Sequence, residues 1–329
     1  MRVLIVTEGG KKIGLGHIAR CMSLYQAFKK EGIRPSFVVN GDKTAGNVLA
    51  GHDYIVFNWL RDKRRLFNIA KDSDIAVIDS YLADAGIYKE VAGLAKTAVY
   101  LDDNMRIDYP RGIVVNGTVF AKLMRCPKSD GVEYLLGSRY IPLRKEFWDV
   151  PAKPIRADIK SIIVTFGGTD GKNMTPKILS FLNSRYPEII KNVIVGAGFK
   201  NNKEIERLKD EKVNLIYRPD AKAMRATMLK SDIAVSAAGQ TLYELARIGV
   251  PTIAVCVADN QERSLAAWRK TGFIEYAGWH NERTITSSIL KNIVKLLPLK
   301  KRRKMNEVGR RLVDGKGAQR IVEKILWKA

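Results

Sequence analysis

Residues 231–255 read as strand, glycine turn, helix, proline, strand, and the turn Ala238-Gly239-Gln240-Thr241 opens the helix. Backbone N–H groups ahead of a helix have no partner inside it, and the helix dipole makes that end electropositive, so such a turn suits a phosphate. Glu244 follows one turn in, where a carboxylate can reach the hydroxyls of an attached ribose. A second loop, Gly167-Gly168-Thr169-Asp170, follows a predicted strand; its glycines free the backbone to wrap an anion, and Thr169 adds a hydroxyl donor. Asn260-Gln261 follow a third strand and offer amides at the carboxyl edge of a sheet, where ligands bind in open α/β folds. Together these point to a nucleotide or nucleotide-sugar.

A different chemistry sits near the N-terminus. In Gly14-Leu15-Gly16-His17-Ile18-Ala19-Arg20, Gly14 and Gly16 allow a tight turn, and His17 falls at the start of a helix. A neutral imidazole there can act as a general base. Histidine is scarce in the chain, with only His17, His52 and His280. Asp79 and Tyr81, in Ile78-Asp79-Ser80-Tyr81, end a predicted strand, as do Asp102 and Asp103; these could orient His17 or hold a sugar. The 14–19 segment also fits the G-x-G-x-x-A dinucleotide pattern, but about six loop residues precede it and the second strand ends in Asn40 rather than a carboxylate, so a dehydrogenase is disfavoured. No His/Cys/Asp cluster has metal-ligand spacing, and neither a metal nor another cofactor is expected.

The elements that must position these groups alternate regularly. Strands are predicted at Val3–Thr7, Ser36–Val39, Ile75–Asp79, Ala98–Leu101 and Ile113–Asn116. A helix is predicted over Ile18–Phe28 from the helical spacing of Ile18, Cys21, Met22, Tyr25 and Phe28. Continuous apolar strands imply a parallel sheet covered on both faces. Asp149–Pro154, with two prolines, is the best linker. Beyond it the alternation restarts: strands at Ile162–Phe166, Val193–Val195, Val213–Ile216, Ile233–Val235 and Thr252–Val255, and helices near Pro176–Leu182, Ala221–Leu229, Thr241–Ile248, Glu262–Lys270, 285–296 and Ala318–Leu326. Two Rossmann-like domains, 1–149 and 155–329, with parallel sheets facing a cleft are therefore expected, the last helix packing back on the first domain.

The 329 residues suit two domains, and 46% hydrophobic content is ordinary. No apolar run is long enough to span a bilayer, and no signal peptide is evident. Cys21, Cys126 and Cys256 are scattered, and Cys21 and Cys256 sit in apolar patterns, so buried free thiols and a cytoplasmic location are expected. The net charge of +23 suits anionic partners or simply a solvated basic surface. The run Lys300-Lys301-Arg302-Arg303-Lys304, placed between helical segments, suits peripheral contact with an anionic membrane. Without aromatic interleaving, a specific nucleic-acid partner is not expected.

The motifs at 14–20, 78–81, 167–170, 238–244 and 260–261, with Asp314-Gly315-Lys316-Gly317-Ala318-Gln319-Arg320, occur in the order of a known family. The chain resembles the UDP-sugar hydrolases of pseudaminic acid synthesis and the spore coat polysaccharide synthesis proteins that share those motifs. More distantly, it is similar to the N-acetylglucosaminyltransferase of peptidoglycan synthesis. The resemblance implies a GT-B fold with the nucleotide held mainly by the second domain. It further implies that His17 activates water, the 167–170 loop lies near the diphosphate and Glu244 binds the ribose. Thr7-Glu8-Gly9-Gly10 stands where the hydrolases commonly carry an Arg-x-Asp pattern facing the sugar, which leaves the sugar open. The expected reaction is hydrolysis of the C1–O bond of a UDP-linked amino sugar, with inversion. The alternatives are a glycosyltransferase on the same fold and a nucleic-acid-binding module.

Overall fold

The computed structural model describes residues 1–11, 13–127 and 130–329. The chain divides into two compact units, Met1–Lys145 with Gly315–Ala329, and Glu146–Asp314.

The first unit runs β1 (Val3–Gly9), α1 (Gly16–Lys30), β2 (Ser36–Gly41), α2 (Lys43–Leu49), β3 (Tyr54–Val56), α3 (Lys63–Ala70), β4 (Ile75–Asp79), α4 (Ala85–Leu94), β5 (Thr97–Leu101), β6 (Gly112–Asn116) and β7 (Val132–Leu136). Among the described residues its sheet has seven strands in the order β3-β2-β1-β4-β5-β6-β7, and every pairing is parallel. The central strands β1, β4 and β5 are buried along their whole length, which is why they read as continuous apolar runs.

The second unit runs β8 (Ser161–Thr165), α5 (Met174–Arg185), β9 (Ile190–Val195), α6 (Asn202–Arg207), β10 (Val213–Tyr217), α7 (Ala221–Lys230), β11 (Ile233–Ala237), α8 (Thr241–Ile248), β12 (Thr252–Cys256), α9 (Glu262–Thr271), β13 (Ile274–Trp279), α10 (Ile285–Leu296) and α11 (Leu299–Leu312). Its sheet order is β10-β9-β8-β11-β12-β13, again parallel throughout. The final helix, α12 (Gly317–Lys328), belongs to the first unit and packs on α1 and β5.

Both orders are the doubly wound 3-2-1-4-5-6 pattern, in which the chain reverses its direction of travel beside the first strand. The reversal leaves an open crevice at the carboxyl ends of the two central strands. These are β1 and β4 in the first unit, and β8 and β11 in the second.

Two sequence readings need correction. The basic run 300–304 does not lie between helices but inside α11. There Arg302 is fully buried, and it donates to the carbonyls of Leu296, Leu297, Arg156 and Ala157. The Asp149–Pro154 stretch, read as a linker, is held within the second unit, because Arg310 donates to the Val150 and Pro151 carbonyls and Lys153 Nζ to that of Leu229.

Candidate functional site

In the first unit the crevice gathers the residues around His17. β1 leaves the sheet at Gly9, and a loop must turn back into α1. The carbonyl and N–H groups of Gly10 and Gly14 exchange two hydrogen bonds (2.9 and 2.8 Å), which closes that loop on itself. Gly14 adopts φ +87°, a conformation that favours glycine. The Lys11 N–H is tied to Asp42. The closed loop delivers His17 into the first turn of α1, where its side chain is 12% exposed.

β4 is hydrogen-bonded beside β1, with Thr7 opposite Asp79, and this pairing brings Asp79 under the ring. Asp79 is fully buried, and His17 Nδ1 lies 2.7 Å from its Oδ1. Arg20, one helical turn beyond His17, completes the arrangement: its Nε donates to Oδ2 (2.8 Å) and its Nη2 to Oδ1 (2.6 Å), while Nη1 reaches Asp103 (2.5 Å). Burial by itself would raise the Asp79 carboxyl, but the Arg20 guanidinium, aided by His17, outweighs it and holds the group at about 2. An ionised carboxylate only accepts hydrogen bonds, so Nδ1 carries a proton and, in the neutral ring, the lone pair sits on Nε2. The pair thus fixes both the tautomer and the direction of the basic nitrogen. Cys21, a buried free thiol 3.6 Å from Asp79, is pushed further from ionisation by burial and by that charge.

Tyr81 meets the His17 ring edge-on at 4.6 Å between centroids and restricts its rotation. Burial and the nearby Asp103 push its phenol up to about 12, so at neutral pH it can donate a proton but cannot act as a base. Asp103 is tied to this cluster by its hydrogen bond from Arg20 and acts on Tyr81 through its charge. Asp102 points elsewhere: it accepts from the Asn104 and Arg106 N–H groups and the Tyr109 hydroxyl, and so shapes its own loop.

Glu8, Ser80 and Arg20 are parts of this cluster that the reading of candidate site residues missed. Glu8 is 1% exposed and accepts from the Ser80 hydroxyl (2.6 Å) and the Tyr81 N–H (2.8 Å). Its Oε1 lies 3.8 Å from His17 Nε2. The available signals were an acid ending an apolar strand run, and an arginine on the same helical face as His17.

In the second unit the other candidates share one sheet edge. The 167–170 loop follows β8, the 238–241 turn follows β11 and Asn260-Gln261 follow β12; these three strands are neighbours in the sheet. The Gly168 carbonyl accepts from the Gly198 N–H (2.9 Å), and Gly196 approaches the Gly168 backbone so closely that a Cβ there would collide with it. Gly167 takes φ +78°. Thr169 is exposed, and its methyl faces Gly198. The Asp170 carboxylate is directed inward, accepting from the Met174 and Thr175 N–H groups and the Asn201 amide. It therefore caps α5 and holds the loop's shape.

Leu242 and Tyr243 donate back to the Gly239 and Gln240 carbonyls, so the amides of 239–241 stand ahead of the first helical bond. Ala238 and Glu244 are buried against the start of α8. Asn260 is exposed in a short 3₁₀ turn, and the Gln261 side chain accepts from the Val257 N–H to brace that turn. Among the described residues no three His, Cys, Asp or Glu side chains converge as they would around a metal ion. No described helix is long and apolar enough to cross a membrane.

Comparison of the whole chain with solved structures decides the architecture. It superposes on MurG of Acinetobacter baumannii with a TM-score of 0.71, covering 99% of both chains at 13% identity. The fold is GT-B. Further structures with this fold include UDP-GlcNAc 2-epimerase from Neisseria meningitidis, bound to UDP-GlcNAc (TM-score 0.64, 18% identity, 99% of this chain and 100% of that one). Another is HepE of Anabaena, in complex with UDP and glucose (TM-score 0.63, 10% identity, 99% of both chains).

No protein-family profile matches the chain. In sequence it is 24% identical to the spore coat polysaccharide biosynthesis protein SpsG of Bacillus subtilis, over 98% of this chain and 96% of that protein. It is 25% identical to a Helicobacter pylori protein named pseudaminic acid cytidylyltransferase and UDP-2,4-diacetamido-2,4,6-trideoxy-beta-L-altropyranose hydrolase, over 79% of this chain. An uncharacterized Methanocaldococcus jannaschii protein is 26% identical over 77% of this chain. The matches span about half of the last two relatives' own lengths, 45% and 55%. The resemblance carried by the motifs is the one that sequence comparison returns.

Proposed function

We propose that the protein hydrolyses the C1–O bond of a UDP-linked amino or deoxy sugar, releasing UDP and the free sugar with inversion. The observation that carries this reading is the buried Asp79–His17 pair, which leaves Nε2 to accept a proton at the carboxyl edge of the first unit's sheet. In the proposed reaction Nε2 takes a proton from water as the oxygen attacks the anomeric carbon from the face opposite UDP. The imidazolium that forms is stabilised by Asp79, and Tyr81 keeps the ring aligned.

The second unit takes the role of nucleotide holder. The amides of 239–241 and the glycine loop at 167–169 suit the diphosphate, and their fixed N–H dipoles favour the charge that develops on the departing UDP. Glu244 is assigned to the ribose, with Asn260 and Gln261 at the same edge. The named activity of the Helicobacter pylori relative and the UDP-sugar complexes of the structural neighbours support this choice of substrate class.

A positioned base contributes about 10²–10⁴-fold. His17→Ala should lower turnover by about that factor in steady-state assays of UDP release, with UDP affinity retained in calorimetry. Incubation of the purified protein with a panel of UDP-amino sugars separates hydrolysis from transfer. Release of UDP with donor alone, and a single initial anomer by NMR, supports hydrolysis; strict dependence on an added acceptor would assign the protein as a glycosyltransferase.

A further inference from the structure

We infer that Glu8 selects the nucleophile: together with His17 it forms a two-acceptor seat that fits one water molecule and disfavours an alcohol. This deepens the hydrolase reading and rests on it.

Glu8 sits one residue before the end of β1, almost fully buried. A carboxylate has about four lone-pair positions. The Ser80 hydroxyl engages Oε2 and the Tyr81 N–H engages Oε1, which fixes the group's orientation. The Oε1 atom turned toward the ring is 3.8 Å from His17 Nε2. That is too long for a direct hydrogen bond and too short for two waters. An oxygen about 2.8 Å from each atom would subtend roughly 85° between them, about 20° tighter than water's own H–O–H opening, so each hydrogen bond would bend by only about 10°.

Nε2 and Oε1 both accept, and water carries two protons to give. One goes to Nε2 as the oxygen forms its bond to the anomeric carbon. The C1–O bond to UDP breaks, with its electron pair leaving on the phosphate oxygen. The second proton remains on the new sugar hydroxyl, still hydrogen-bonded to Glu8 as the product forms. An alcohol brings a single proton, which must go to Nε2, so its use leaves Oε1 with the Tyr81 N–H alone and a second lone pair of this buried carboxylate unmet, which is costly. Its carbon must also occupy the side that Glu8 fills. The seat therefore separates hydrolysis from transfer with groups belonging to this chain, at the strand end where the sequence departs from the pattern of the hydrolases it resembles.

Product partition in water–methanol mixtures tests this directly, because a ratio is independent of how active each variant remains. The wild type should give free sugar with little methyl glycoside. Glu8→Met, similar in length but without an acceptor, should raise the share of methyl glycoside about tenfold or more. Glu8→Gln should stay near the wild-type ratio, because the Tyr81 N–H still holds an amide oxygen toward the ring. An unchanged ratio in Glu8→Met would overturn the proposal. A crystal structure of the wild type at high resolution gives a readout that needs no turnover: a water within about 3.2 Å of both Nε2 and Oε1 is expected. Its absence from well-ordered density would overturn the seat even if hydrolysis were established. A bound water with no hydrolysis of any UDP-sugar would uphold the seat while removing the proposed reaction.

Discussion

Arg20 is the residue on which the His17 arrangement turns. A carboxylate buried beside a histidine alone could take up a proton and become a donor, and the tautomer would then be lost. With two guanidinium contacts and Nδ1–H as donors, Asp79 stays ionised to about 2. Its carboxyl is depressed relative to an unfolded value of about 3.9, so its stabilising contribution is complete above that value. The contribution is lost as pH falls from about 4 toward 2, and amounts to about 2–3 kcal/mol. Asp79→Asn should cost about 3–5 kcal/mol at pH 7, since the buried Arg20 then keeps only the partly exposed Asp103 as a charge partner among the described residues. The variant should also lose less further stability than the wild type between pH 4 and 2.5. Urea unfolding at several pH values checks both, and an identical acid slope in the two proteins would refute the assignment of that slope to Asp79. His17 and Asp79 were each legible as single residues. Their pairing across 62 positions was not, because it depends on β4 lying beside β1, a fact of sheet order that local spacing does not encode. Glu8 was harder still: one acid after four apolar residues and a threonine has the same appearance whether it ends in solvent or beneath a histidine.

At the scale of elements, strands flanked on both faces were the most readable parts. The apolar run of Ile75–Asp79 is the strand observed, and Thr241–Ile248 is the helix observed. β3 was missed because it is a three-residue edge strand whose Tyr54 and Ile55 are exposed. α11 was missed for a different reason. Its inward positions include Arg302, Met305, Val308 and Gly309, so a charge occupies a core position and breaks the apolar stripe. Arg302 pins the carbonyl end of α10 and the strand entry at 156–157 through four hydrogen bonds. Arg302→Met should preserve the stem's packing but leave buried carbonyls without donors, lowering stability by about 3 kcal/mol. Lys304→Met, at an exposed position of the same helix, should change it by less than about 0.5 kcal/mol. Equal melting temperatures for the two variants would show that the clamp carries no weight.

The same usage recurs over the whole molecule and bears on its charge of +23. Arg247 donates to the Phe147 and Trp148 carbonyls, and Arg111 to those of Ala92, Ala95 and Lys96. Cations satisfied by backbone carbonyls need no acidic partner, so part of the imbalance between basic and acidic residues is architectural. Arg320 also donates to the Arg139 carbonyl, fastening α12 to the first unit. Here the glycine of Lys316-Gly317-Ala318 has a physical reason, since Gly317 lies against the Ile141 backbone where a Cβ would collide. Ala318, Ile321, Val322 and Ile325 bury the helix's apolar face. Removing them exposes side chains worth about 1.5–3 kcal/mol each for the larger ones, against a total domain stability of about 5–15 kcal/mol. A chain ending at Asp314 should therefore melt in two steps, with the first unit's transition well below that of the 329-residue chain. UDP should still bind the truncated chain with near-native affinity if the second unit is the nucleotide holder, while turnover collapses with the unit that carries His17. Loss of UDP binding in a chain whose second transition is intact would instead place nucleotide contacts on the first unit.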